Sequence, residues 1–61
     1  MNGYDAQIYE YCKEKAIELN TIMTIRGDNF VIKQQNDTIL GYFNCITSVQ
    51  AFLHGYEWGI L

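Results

Sequence analysis

The chain predicts an α+β fold of order α-β-β-β-α, and three observations carry that prediction. An amphipathic helical pattern opens the sequence. A central stretch follows in which β-branched and aromatic residues alternate between tight turns. A second helical pattern closes it. The short connections predict an antiparallel three-stranded meander. The bracketing helices are expected to pack together on one face of it, because a sheet of three strands needs one face covered. Sixty-one residues make one domain, 1–61. A chain of this size buries only about 60% of its unfolded surface, so its core is marginal and association with a partner is a common remedy.

The first helix is expected over residues 4–20. Ile8, Cys12, Ala16 and Leu19 form an apolar stripe near i, i+4 spacing, flanked by Tyr4 and Tyr9. Asn2 or Asp5 is expected to cap its start, and Asn20 suits its stop. Glu10, Lys13, Glu14 and Glu18 read as a solvated face. At TIMTI, residues 21–25, β-branched residues replace Glu and Lys and predict a strand. RGDN makes a turn. In the second strand, 30–35, Phe30 and Ile32 alternate with Val31 and Lys33. Asn36-Asp37 turns the chain again. In the third strand, 38–44, Ile39 and Phe43 are expected on one face, with Leu40 and Tyr42 on the other. The face away from the helices would then show Val31, Lys33, Leu40 and Tyr42, or the alternate set if the register is reversed, and either set leaves apolar sheet surface over.

Thr47 and Gln50 match a capping box, which predicts a second helix starting near Ser48 and running to the end. Val49, Phe52, Leu53, Tyr56 and Ile60 form its core stripe. Ala51, Gly55 and Gly59 form a second stripe of small residues, bordered by His54, Trp58 and Leu61. Glycine costs about 0.5–1 kcal/mol relative to alanine inside a helix. Small residues at that spacing let another backbone approach closely, and the expectation is close helix packing at Ala51, Gly55 and Gly59. The approaching backbone can belong to the first helix, to a second copy or to a target.

Composition narrows the function. The chain is 49% hydrophobic and 15% aromatic, without proline, which is globular. A net charge of -3, with Lys13, Lys15, Arg26 and Lys33 spread over three elements, argues against nucleic-acid partners. Tyr42 and Phe43 would be the stacking residues if nucleic acid were bound. Two cysteines, Cys12 and Cys45, are too few for a secreted disulfide scaffold. The start MNGYDAQ lacks a basic, apolar signal, and no apolar run approaches the roughly 20 residues of a membrane span. A cytoplasmic protein with reduced thiols is expected.

No catalytic, cofactor-binding or metal set is expected. His54 is the single histidine, with one carboxylate near it in sequence, where a metal or a triad wants more groups. Arg26-Gly27-Asp28 spells the integrin-binding tripeptide, and Gly-Asp-Asn is also ordinary hairpin chemistry. What stands out is surplus aromatic surface. Tyr4, Tyr11, His54, Tyr56 and Trp58 are the expected partner-binding residues, since Trp and Tyr are enriched at binding hot spots.

The run from Asn29 to Gly59 ends in Ala-Phe-Leu-x-Gly-Tyr-Glu-x-Gly, carried here by Ala51, Phe52, Leu53, Gly55, Tyr56, Glu57 and Gly59. With its strand, turn, strand and helix start, it resembles small uncharacterised proteins encoded by phages and prophages of Gram-positive bacteria. The resemblance covers about half the chain and brings no catalytic residues. It implies an accessory protein made during infection that binds and modulates a host protein, such as a defence nuclease or a replication or transcription factor. The expected function is a non-enzymatic protein-binding module, with an obligate homodimer as the alternative.

Overall fold

A computed structural model describes residues 3–59. The elements are α1 (Gly3–Glu18), β1 (Thr21–Arg26), β2 (Asn29–Gln34), β3 (Ile39–Phe43) and α2 (Ile46–Glu57). The strands form one antiparallel sheet of order β1-β2-β3. Both helices cover one face: α1 packs on β1 and on α2, and α2 packs on β2 and β3. The α-β-β-β-α order and the α+β architecture are those read from the sequence.

The core lies between the layers. Ile8, Cys12 and Ala16 of α1 meet Ile46, Val49 and Leu53 of α2 over Ile32 of β2. Each is a side chain that gains by leaving water, at roughly 25 cal/mol per Å² of apolar surface buried. Thr21 is the buried polar residue among them, and its hydroxyl donates to the Ala16 carbonyl at 3.0 Å. That bond closes the α1–β1 connection. Asn20, at φ 60, makes the left-handed turn that ends the helix.

The connections have specific chemistry. Gly27 (φ 63) and Asp28 form a two-residue hairpin turn of the II′ kind, with glycine at the first central position. Between β2 and β3, Asp37 adopts φ 71 and the Asn36 side chain accepts from the Thr38 N–H at 3.1 Å. Lys33 Nζ meets Asp37 Oδ1 at 3.1 Å.

Three expectations are corrected. First, the alternation along β3 is interrupted. Ile32 pairs with Gly41 and Lys33 with Ile39, so Leu40 is an extra residue in a β-bulge. The bulge puts Leu40 with the core beside Phe43 and leaves Ile39 and Tyr42 exposed on the helix-free face. Gly41 suits this arrangement, because a Cβ there would lie 2.8 Å from the Phe43 ring.

Second, α2 begins at Ile46 with Cys45 as N-cap, not at Thr47. Cys45 is extended (φ -146, ψ 152) and its side chain makes no capping bond to the backbone. Ile46 decides the start. It is buried and extends the Val49, Leu53 stripe one step earlier. Burying an isoleucine is worth about 1.5–3 kcal/mol, more than the ~1 kcal/mol of a good cap. Likewise, α1 starts at Gly3, which puts Asp5 inside its first turn, where an acid suits the helix dipole, and not at the cap.

Third, α2 stops at Glu57. Trp58 and Gly59 bond back to the carbonyls of His54 and Tyr56 at 3.2 Å each, and Gly59 sits at φ 73. Gly59 is thus a helix terminator, a position where left-handed backbone favours glycine. Asn2, Ile60 and Leu61, expected as a cap, a core residue and a stripe border, lie outside the described residues.

Candidate protein-binding surface

The expected contact residues divide between two places. Lys15 of α1 organises the first. Its Nζ lies 5.9 Å from the centre of the Tyr11 ring, 3.0 Å from Glu57 Oε2 on α2 and 3.4 Å from Glu18 Oε2. The Glu57 bond, with Glu18 adding to it, holds the Lys15 ammonium above the usual lysine range. Glu57 follows His54 by three residues, so the two are neighbours on the helix surface. His54 in turn meets Trp58 at 6.3 Å between rings. A strip therefore runs across the helix layer through Tyr11, Lys15, Glu57, His54 and Trp58. Tyr4 extends it, two turns before Tyr11 on the same face of α1.

This strip is aromatic and open. Tyr4 and Trp58 are each 70% exposed and Tyr11 is 44% exposed. Lys15 is its most enclosed charge, with its ammonium held between two carboxylates and one ring. The Lys15–Glu57 bridge joins residues 42 positions apart, so only the tertiary fold reveals it.

Tyr56 does not join the strip. Its ring stacks on Phe52 at 5.9 Å and 25°, and Phe52 lies 5.2 Å from Phe43. These three rings step from the rim of α2 into the layer between helix and sheet, and Tyr56 is half-buried.

The small-residue stripe is also divided. Gly55 is buried, while Ala51 and Gly59 are exposed. A groove that held α1 along its length would bury all three. Contact with α1 instead runs through the core stripe and the Lys15–Glu57 bridge.

The helix-free face of the sheet carries Ile22, Thr24, Val31, Lys33, Ile39 and Tyr42. Tyr42 is 55% exposed there, whereas Phe43 points into the core on the other side. The two aromatics are separated by the sheet and cannot serve as one stacking platform for bases.

The cysteines are both free and differ in setting. Burial pushes the Cys12 thiol up. Cys45 is exposed, with Sγ 3.0 Å from Ser48 Oγ and 3.4 Å from Thr47 Oγ1. The Ser48 hydroxyl first, and then that of Thr47, holds its thiol below the ordinary value. The sequence reading missed this role for Cys45; a cysteine followed by two hydroxyl residues at a helix start was the available signal.

Among the described residues, no group of three or more His, Cys, Asp or Glu is placed to hold a metal ion, and no helix is long and apolar enough to cross a membrane. Compared with protein-family models, with curated proteins and with solved structures, the chain matches none.

Proposed function

We propose that this chain is a non-enzymatic protein-binding module of the cytoplasm, of the kind phages make to modulate a host protein. One observation carries the reading. Trp58 is 70% exposed at the end of α2, beside His54, on a strip that continues through Glu57 and Lys15 to Tyr11. Among the described residues, the core cluster and the side chains packed on it do not include Trp58. Large aromatic side chains with a polar surround are the residue types that dominate binding energy at protein interfaces. The acidic charge, the small size and the resemblance of residues 29–59 to phage-encoded proteins support the same reading.

The strip suits a partner with an apolar cavity for the indole, ringed by polar groups that meet Glu57 and Lys15. The test is affinity capture from the cell in which the chain is made, using wild type and Trp58→Ala, with circular dichroism to confirm that both fold. Loss of a partner from the variant supports the proposal. Folded Trp58→Ala and Tyr11→Ala proteins that each keep every partner of the wild type end it.

A further inference from the structure

The two helices run side by side in the same direction. Asp5, in the first turn of α1, lines one pocket with Cys45, Ile46 and Thr47 at the start of α2. At the other end Lys15, in the last turn of α1, bonds Glu57 in the last turn of α2. Both C-terminal ends therefore lie together, and each presents the equivalent of about half a negative charge. A helix gains from a cation at that end and loses from an acid. Here α1 closes on Glu18 and α2 closes on Glu57. The same local preference is broken in both helices at the same place, and such breaks concentrate at functional sites.

The charge of the chain is divided in the same sense. α1 and α2 carry Asp5, Glu10, Glu14, Glu18 and Glu57 against Lys13 and Lys15. The strands and turns carry Asp28 and Asp37 against Arg26 and Lys33, and are neutral. The net charge of -3 thus belongs to the helix layer. Lys15 lies 3.0 Å from Glu57 and 3.4 Å from Glu18, so it is already engaged. Lys13 is on the other flank of α1, in a groove it lines with Ile17, Ile22 and Met23. Glu14 stands between Tyr11 and Glu18 at i, i+3 and i, i+4 spacing, on their face of α1. It is exposed, and among the described residues it has no salt bridge. Trp58 caps α2 just past Glu57 and is 70% exposed.

We propose that the C-terminal end of the helix layer docks a basic segment of a partner protein through arginine. This rests on the reading of the aromatic strip as a protein interface, and it names the chemistry the partner brings there. Charge complementarity selects a cation, because Glu14, Glu18, Glu57 and two helix ends outweigh Lys15. The exposed rings of Tyr11 and Trp58 at the same end select arginine over lysine. A guanidinium is planar, forks onto a carboxylate and stacks on an aromatic face, whereas an ammonium is a compact, strongly hydrated point charge. A second copy would bring the same negative charge to this end, and a nucleic acid would be repelled by it.

The test titrates an acetylated hexa-arginine peptide into the full chain and follows the backbone amides and the Trp58 indole N–H by NMR, with hexa-lysine and hexa-glutamate peptides alongside. The expected result is saturable binding at low salt that weakens at least tenfold at high salt. The largest shifts should fall at Glu14, Glu18, Glu57 and the Trp58 indole, with Asp28 and Asp37 unmoved, and hexa-arginine should bind more tightly than hexa-lysine. The double variant Glu14→Gln, Glu18→Gln leaves the Lys15–Glu57 bridge in place and should bind hexa-arginine at least tenfold more weakly, with circular dichroism confirming the fold. If it unfolds, Trp58→Ala should show the loss instead. Absence of binding at low salt overturns the proposal. So do shifts that fall equally on Asp28 and Asp37, equal binding of hexa-lysine, or binding of hexa-glutamate. Shifts at this end that grow with the concentration of the chain alone give it to a second copy and also overturn it. Capture from the native cell separates this proposal from the reading beneath it. A partner lost by Trp58→Ala but kept by the folded double variant leaves the strip an interface and ends the arginine proposal. A chain with no partner that depends on Trp58 ends both.

Discussion

The inner and outer sides of the helix layer are made of different residues. On the inner side, Val49 and Leu53 of α2 and Cys12 and Ala16 of α1 are almost wholly removed from water. They are small or aliphatic and fill space between the layers. On the outer side, Tyr4, Tyr11, His54 and Trp58 stand in solvent although they are large and mostly apolar. The same helix α2 carries both sets. The difference separates residues that this fold buries from residues that it leaves in solvent, and the proposed interface draws on the second kind.

The sharpest way to break that distinction is to exchange its consequences. Leu53→Ala should cost about 2–5 kcal/mol by urea denaturation, as a buried leucine leaves a cavity. That is a large part of the stability of so small a domain. Gly41→Ala tests the inner side from the sheet. Its Cβ would collide with the Phe43 ring at 2.8 Å, and the ring is backed by Phe52. The expected loss is about 1–3 kcal/mol, read by the same denaturation. Trp58→Ala should change stability by no more than about 0.5 kcal/mol, while costing at least tenfold in affinity for the partner, measured by calorimetry. If Trp58→Ala destabilises as much as Leu53→Ala, the outer residues are structural after all.

The two thiols offer the same comparison. Cys45 should be alkylated by iodoacetamide in the native protein, with a half-point in pH below that of an ordinary thiol, because its thiolate is favoured by the Ser48 and Thr47 hydroxyls. Cys12 should react only after unfolding. Peptide mass spectrometry separates the two sites. Ser48→Ala should move the Cys45 half-point upward.

The smallest effect belongs to the Lys15–Glu57 bridge. The Lys15 pKa is raised in the folded chain, so the bridge contributes fully below the ordinary lysine pKa and loses its contribution as pH rises through the raised value. Glu57→Gln should lower the denaturation midpoint slightly at neutral pH. The gap from wild type should close above about pH 10, where the ammonium begins to lose its proton.

Much of the fold was legible in the sequence because its signals were local and periodic. The Ile8, Cys12, Ala16 stripe, the β-branched runs and the turn residues each describe their own neighbourhood. What escaped was set by competition between neighbours. The alternation of β3 failed at Leu40, because a bulge is a property of two paired strands. The capping box at Thr47 lost to the burial of Ile46, which depends on what lies across the core. Gly55 and Gly59 read as members of one stripe, yet one is buried and the other ends the helix. Of the surface residues, Tyr4, Tyr11, His54 and Trp58 fell together on one strip, whereas Tyr56 turned toward Phe52. The bridge that ties the strip together joins residues 42 positions apart, and no local pattern announces it.

The most direct test of the outer strip as an interface is a parallel capture with three folded proteins: wild type, Trp58→Ala, and Tyr42→Ala on the opposite surface. The expected result is a partner retained by wild type and Tyr42→Ala and lost by Trp58→Ala. A partner that all three retain, or that Tyr42→Ala alone loses, contradicts it.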